Sequence, residues 1–596
     1  MSSVQLRLSK VALPAAVRNF VRSRASGLVA VAVLLGLVSG FLVVALSATV
    51  QFLHVTLFGL PWGEHLSAAK VLTPWRGILV PVAGGCALAV LTMVARPLAG
   101  RLADTIEANA LYGGRLSMKG SLFVTAQTLV SSGFGGSVGL EAGYTQICSA
   151  VASRLGLTLA ARRADMRLLV ACGAAGAISG AFNAPLTGAF YGFEVVLGTY
   201  TVGALAPVAA SALAACLITR QFAEHAYLMP PGSVGTLHTV EIIHVGLISL
   251  AAALLGIALM RAVGGCEALF SRFKVDLRLR PILGGLAIGC LSLITPQVLG
   301  AGHGALGLDL AADLAPATLA GLFLLKSLAS AISLGSGFRG GLFYASLLLG
   351  ALVGRCYADV GAHLLPQIPL DPGLAALAGI AAFGTGVIGA PVTMTALTLE
   401  TTGSFTVTIA ALIAATLASL IVRDLFGYSF ATWRFHLRGE AIRGPHDVGW
   451  LRDLTVRKLM RADVRTAPAD WTVEQARTAF PIGTLKNFAV VDEADCYRGL
   501  ILLDDLYTSE IDPGEPILAV ARHQETMLLP SMAVREALDT FEASEADALV
   551  VVDRLSSRLI VGALSESNAL RSYGRELERQ SPDNVTTFQA KPARRG

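Results

Sequence analysis

The feature that most limits what this chain can become is a series of long stretches without a single charge. They cover residues 25–63, 77–95, 120–140, 168–193, 195–219, 242–260, 281–308, 372–399 and 401–422. Crossing the hydrocarbon of a bilayer takes about 20 predominantly apolar residues, and several of these runs approach or exceed that length. Charged residues make up only 15% of the 596, against roughly 25% in an average soluble domain. A soluble globular enzyme is excluded, and the chain reads as a polytopic membrane protein.

Many of its 62 glycines lie inside the apolar runs. Small residues let membrane helices approach closely, and backbone breaks survive in a bilayer only where they are packed in protein or line a cavity. The expected architecture is therefore an all-α bundle with broken helices. Arg7, Lys10, Arg18, Arg22 and Arg24 precede the first run, which predicts a cytoplasmic N-terminal segment over 1–24. That run is too long for a removable signal peptide and has no small-residue cleavage signature near its end. The net charge of +5 is modest and argues against a nucleic-acid partner. Seven of the eight cysteines fall in membrane segments and no CxxC pair occurs, so neither a metal site nor a disulfide framework is expected.

Composition changes abruptly near residue 438. The reading is a membrane domain over 25–440, an α/β cytoplasmic domain over 450–573, and a polar tail over 574–596 expected to be disordered. The α/β part repeats after about 63 residues. Val456–Met460, Thr472–Ala476, Phe488–Asp492 and Gly499–Leu506 form one copy; Met527–Pro530, Val534–Ala537, Ala548–Asp553 and Gly562–Leu570 form the other. One copy cannot bury its sheet alone, so the two should pack together. This pattern resembles a tandem pair of CBS domains. The resemblance implies an adenine-nucleotide site held by a hydroxyl shortly after the glycine and an Asp three residues on. The second copy keeps Ser565 but has Asn568; the first has Leu502 and keeps Asp505. A nucleotide sensor and a purely structural, dimer-stabilising role both remain open.

The membrane part repeats weakly as well. Ala184-Pro185-Leu186-Thr187 is followed by Glu194, and Ala390-Pro391-Val392-Thr393 by Glu400, each Glu ten residues after its Ala. A glycine-rich element precedes each, Gly133–Gly143 and Gly335–Ala345. Such repeats point to inverted-topology halves with the substrate near the bilayer midplane. In the first element Glu141 lies between charge-free runs, where a carboxylate is costly to insert, after a glycine loop and just before a helix-like run. A helix N-terminus offers unpaired N–H groups and partial positive charge. Glu141 can thus occupy an anion site and leave it when protonated, or simply cap the helix. The second element carries no carboxylate and would supply the matching N–H cluster.

These motifs, with Gly180–Gly188, Gly300–Gly304 and Gly389-Ala390-Pro391, resemble in order the CLC chloride channel and transporter family over about 25–440. The resemblance implies a homodimer with one anion pathway per subunit and both termini cytoplasmic. Glu141 takes the gating position. Gly139, Leu140, Gly341, Leu342, Phe343 and Tyr344 fall in the filter, and chloride or another anion is the ligand. Departures are plain. The gating loop has lost its basic residue and its Pro, Arg101 stands at the ion-coordinating Ser, and Ala431 at the Tyr that closes the filter. Val195 stands at the inner proton-transfer Glu, beside Glu194. Arg101 could hold Glu141 or favour an oxyanion; a shifted register would send it to the interface and leave Ser117 or another hydroxyl to coordinate.

The resulting expectation is a channel or uncoupled anion transporter of the inner or plasma membrane, gated by Glu141, needing no cofactor. An anion/proton antiporter is the alternative. An intramembrane hydrolase is a remote one, resting on the G-x-S-x-G match at Gly135–Gly139 with no triad histidine visible. His303, in a glycine-rich loop, reads as a capping or solvated residue.

Overall fold

The computed structural model describes residues 25–70, 72–99, 102–222, 237–364, 370–437, 454–508 and 511–572. The expected N-terminal segment, the tail and Arg101 lie outside the described residues. The chain forms two compact units, Met1–Asp447 and Val448–Gly596.

The described part of the first unit is helical. Its helices are α1 (Ala25–Leu53), α2 (Pro74–Ala99), α3 (Thr105–Leu111), α4 (Met118–Gly133), α5 (Glu141–Thr158), α6 (Arg163–Phe182), α7 (Pro185–Tyr191) and α8 (Val202–Phe222). They continue as α9 (Thr239–Arg272), α10 (Arg280–Ser292), α11 (His303–Ala311), α12 (Pro316–Ser336), α13 (Phe343–Leu364), α14 (Pro372–Ile388), α15 (Pro391–Thr402), α16 (Phe405–Leu425) and α17 (Phe430–Leu437). Eight helical segments among the described residues are long and apolar enough to span a bilayer.

Two of those eight lie outside the charge-free runs. Pro316–Ser336 carries Lys326, and Phe343–His363 carries Arg355 and Asp359. The Lys326 ammonium is buried and donates to the carbonyls of Gln297 (3.3 Å), Val298 (3.3 Å) and Gly300 (2.6 Å). Arg355 donates to the Leu310 and Ala312 carbonyls. Each cation replaces its water with backbone oxygens at broken helix ends, which is what lets it stay inside. Conversely, the charge-free run 372–399 is two helices rather than one, as is 281–308 apart from its connecting loop.

The break inside 372–399 has a counterpart inside 168–193. Asn183 (φ 53°) ends α6 and Gly389 (φ 81°) ends α14, both left-handed. Ala184 (φ −134°, ψ 90°) and Ala390 (φ −133°, ψ 79°) follow in extended form. Pro185 and Pro391 then open α7 and α15, where a missing N–H costs nothing. The Glu of each half caps the other half's helix. Glu194 accepts from the N–H groups of Val392 (2.9 Å) and Thr393 (2.7 Å) and from the Thr393 hydroxyl (2.6 Å). Glu400 accepts from Leu186 (2.7 Å), Thr187 (2.8 Å) and the Thr187 hydroxyl (2.7 Å). Reciprocal contacts of this kind are the mark of a two-fold relation, here between the halves of one chain. Close packing elsewhere rests on small residues: a Cβ at Gly350 of α13 or Gly379 of α14 would overlap the other's carbonyl oxygen.

The second unit holds two α/β copies. In the first, β1 (Thr466–Pro468) runs parallel to β2 (Asn487–Val491), which pairs antiparallel with β3 (Tyr497–Leu502). In the second, β4 (Ala548–Val552) pairs antiparallel with β5 (Ile560–Ser565). Ala489, Tyr497, Leu500, Met527, Val550 and Val552 form a buried cluster joining the copies. One assignment changes. The helix entry Val456–Met460, read as the start of the first copy, packs into the core of the second with Leu528, Val534 and Phe541. Val456 N–H donates to the Met532 carbonyl, and Arg461 exchanges two hydrogen bonds with Ala563. Ile517, between the sequence copies, fills the first core instead. The period in the sequence was right, but the chain's first turn belongs to the later copy.

Candidate functional site

The glycine-rich elements of the two halves meet. Gly139 N–H donates to the Gly341 carbonyl (2.9 Å) and Gly341 N–H to that of Gly139 (3.0 Å). Hydroxyls hold the loops in place: Ser137 N–H donates to Ser333 Oγ (3.0 Å), Ser137 Oγ lies 3.0 Å from Ser330 Oγ, and Arg339 N–H donates to Ser131 Oγ (2.8 Å). The serine of the G-x-S-x-G match is therefore tied to another serine across the halves.

Glu141 is the first residue of α5 and is 5% exposed. Its Oε1 accepts from the backbone N–H of Tyr344 in the first turn of α13, at 3.2 Å. No hydrogen-bond partner for Oε2 is present among the described residues. A carboxylate carried by one half thus sits at the helix N-terminus of the other, where partial positive charge favours it. Only glycine allows this approach, because a Cβ at 139 would overlap Oε2.

Beneath this pair lies a cavity of about 200 Å³. It is lined by Leu102–Ile106, by Glu141, Ala142, Thr145 and Gln146 of α5, by Arg339–Phe343, and by Tyr191, Val195, Phe430, Ala431 and Arg434, among others. A second cavity of about 180 Å³ shares Ile106, Val195 and Ile388 with it and reaches Glu194, Arg423 and Tyr428.

Of the residues singled out from the sequence, Glu141, Gly341, Leu342, Phe343 and Val195 come together at the first cavity, and so does Ala431. Gly139 contributes through its backbone pair. Leu140 does not line the cavity; its side chain packs with Val43, Tyr144 and Ile147. Tyr344 offers its N–H, while its ring stacks on His303 at 3.7 Å and on Phe182. Arg101 lies outside the described residues, although Leu102, Ala103 and Asp104 just after it reach the cavity. Ser117 caps α4 by accepting from Gly120 N–H (3.2 Å). Sequence reasoning missed Asp104, Gln146, Tyr191, Arg339 and Arg434. Arg339 could have been found, because a cation inside the second glycine element is as conspicuous as Glu141 in the first.

In the α/β unit, Asp505 is ion-paired with Arg522 through both oxygens at 2.7 Å. Asn568 Nδ2 donates to the Leu459 carbonyl at 3.0 Å. Ser565 Oγ lies 3.4 Å from Ser567 Oγ. No hydrogen bond or ion pair links Asp505 to either of the other two among the described residues.

A two-fold related bundle of broken helices, with a carboxylate held at a helix N-terminus over a cavity, defines a membrane channel or transporter of the inverted-repeat class. The family profile described as voltage gated chloride channel matches residues 84–423. The chain belongs to this family, the CLC chloride channels and transporters. A ClcB-like chloride channel protein of Ralstonia nicotianae is 34% identical over 399 residues, which cover 65% of this chain and 91% of the relative. The voltage-gated ClC-type chloride channel ClcB of Salmonella typhimurium is 30% identical, covering 66% and 95%. Among solved structures, a slow cyanobacterial Cl⁻/H⁺ antiporter shares the fold with a TM-score of 0.60 at 21% identity, covering 69% of this chain and 97% of that one. A eukaryotic CLC transporter does so with a TM-score of 0.55 at 18% identity, covering 91% and 97%. That likeness extends into the second unit, whose paired α/β copies have the tandem CBS arrangement.

Proposed function

We propose that the protein conducts chloride or a related small anion through the cavity beneath Glu141, with the Glu141 carboxylate as the gate. The observation that carries this reading is the carboxylate itself: buried, held by one N–H from the opposite half, with no partner for its second oxygen among the described residues. Protonation would weaken its hold on the helix N-terminus and leave that site to a permeant anion. Val195 lines the cavity where the resemblance places a proton-relaying acid, and the neighbouring Glu194 is bound to three donors at the start of α15. Both support transport with little proton coupling. Asp104, which also lines the cavity, favours a second reading, an anion/proton antiporter with its inner acid on a different element. The family supports a homodimer with one pathway per subunit, in a cell membrane with the α/β unit on the cytoplasmic side.

Proteoliposome flux recorded together with proton movement tests the proposal. Wild type is expected to pass anions in a pH-dependent way with few accompanying protons. Glu141→Gln, neutral and nearly isosteric, is expected to lose most of the pH dependence. Retained pH dependence in that variant would falsify the gate. A fixed anion-to-proton ratio across several gradients would favour the second reading, and Asp104→Asn would then be expected to break it.

A further inference from the structure

We infer that the hydroxyl of Tyr191, at the end of α7, is the neutral donor that binds the permeating anion in the cavity, in place of a side chain on α17. This rests on the cavity being the anion pathway. Position 431 is alanine, whose side chain has no hydrogen bond to donate, yet the cavity it lines must offer an anion something in exchange for water. An anion moved into low dielectric without hydrogen bonds pays a prohibitive desolvation cost.

The neutral polar side chains around the cavity can be checked one at a time. Thr105 donates to the Thr145 carbonyl (3.3 Å), Thr128 to that of Val124 (3.0 Å) and Thr145 to that of Glu141 (2.9 Å). Gln146 Nε2 uses its two hydrogens on the Ala103 carbonyl and Ser121 Oγ, both at 2.9 Å. Each threonine has a single hydroxyl proton, so all four are committed to protein acceptors. Among the described residues Tyr191 is different: it lines the cavity and its hydroxyl makes no hydrogen bond to protein. Arg339 and Arg434 line the cavity too and have protein partners of their own. They carry full charges, as do the carboxylates of Asp104 and Glu141 in the same lining, whereas a neutral hydroxyl binds a halide without trapping it by full charge.

Tyr191 is also well placed to be a fixed ligand. It closes a helix whose other end is held by Glu400, and its ring lies 6.1 Å from that of Phe343. The site therefore draws on both halves: the first contributes the hydroxyl, the second the ring and backbone beside it. The ligand it fits is a small monovalent anion.

The test uses the full-length protein. Chloride is titrated calorimetrically into wild type, Tyr191→Phe and Tyr191→His, and the chloride-to-nitrate flux ratio is measured in proteoliposomes. A hydrogen bond to a charged group corresponds to about ten- to a hundredfold in affinity. Tyr191→Phe is expected to weaken chloride by about tenfold or more and to change the flux ratio. Tyr191→His keeps a ring N–H and is expected to retain more of the affinity. Adding Ala431→Tyr to Tyr191→Phe is expected to recover part of the loss. Chloride affinity and flux ratio unchanged in Tyr191→Phe overturn the assignment, as does equal loss in the Phe and His variants. Wild-type protein that carries no anion overturns the proposed function, and the assignment with it. That result is distinct from intact flux with an indifferent Tyr191.

Discussion

Asn183, Ala184 and Pro185 trace nearly the same backbone path as Gly389, Ala390 and Pro391, and the glutamates ten residues after each alanine exchange caps. At the glycine loops the halves part company. One presents the Glu141 carboxylate; the other presents the N–H of Tyr344 that receives it and the guanidinium of Arg339. Where both halves must hold a helix end at a break, the sequence repeats. Where the glycine loops meet, it diverges: a single carboxylate is received by an N–H of the opposite half, whereas two carboxylates facing each other would repel.

The largest effect that separates the halves is expected at their glycines. A Cβ at Gly139 would overlap Glu141 Oε2, whereas one at Gly341 would lie 3.2 Å from it. Overpacking typically costs roughly 1–3 kcal/mol. Gly139→Ala should lower anion flux by about tenfold or more, and Gly341→Ala by less. Equal losses would mean that the carboxylate is not what the first glycine accommodates.

The caps should behave in the opposite way, alike. Removing a helix cap costs about 0.5–2 kcal/mol. Glu194→Ala and Glu400→Ala are each expected to destabilise the membrane unit by about that much, read as thermal unfolding in detergent. A large shift for one and none for the other would break the two-fold equivalence.

Much of this was legible beforehand because the chemistry is local. Glu141 stands out as the carboxylate inside a glycine loop, and the Ala-Pro-x-Thr spacing revealed the repeat of the halves, though not that each copy marks a break between two helices. Glu194 is instructive: its recurrence was visible, but its partners, Val392 and Thr393, lie about 200 residues away, so the cap could not be read. Lys326 and Arg355 hid two spans, because a charge count cannot see the carbonyls that receive them. Tyr191 was invisible for a different reason. An aromatic residue in an apolar run reads as packing, and only the committed donors of Thr105, Thr128, Thr145 and Gln146 make its hydroxyl conspicuous.

The smallest effect is expected in the α/β unit, where the copies also differ. The first keeps Asp505 but pairs it with Arg522, and the second holds Asn568 against the Leu459 carbonyl. A nucleotide would have to displace both contacts. Titration of ATP, ADP and AMP should give dissociation constants weaker than about 1 μM, a binding free energy of about −8.2 kcal/mol. Tighter binding would show that these contacts open readily and that the pair is a dedicated sensor.

The placement of Val456–Leu459 in the later copy has a consequence for how the chain reaches its final form. Synthesis delivers the N-terminal side first, but Val456 has no core until Leu528 and Val534 exist, and Leu459 meets Asn568 across 109 positions. The early segment must wait, apolar and unmatched, while the whole first copy emerges. Contacts this distant along the chain slow folding, because the loop must close before they reward it. The second copy cannot finish until the chain has returned to its own beginning, so it does not mature as a free-standing module and locks only when its last strand and helix arrive.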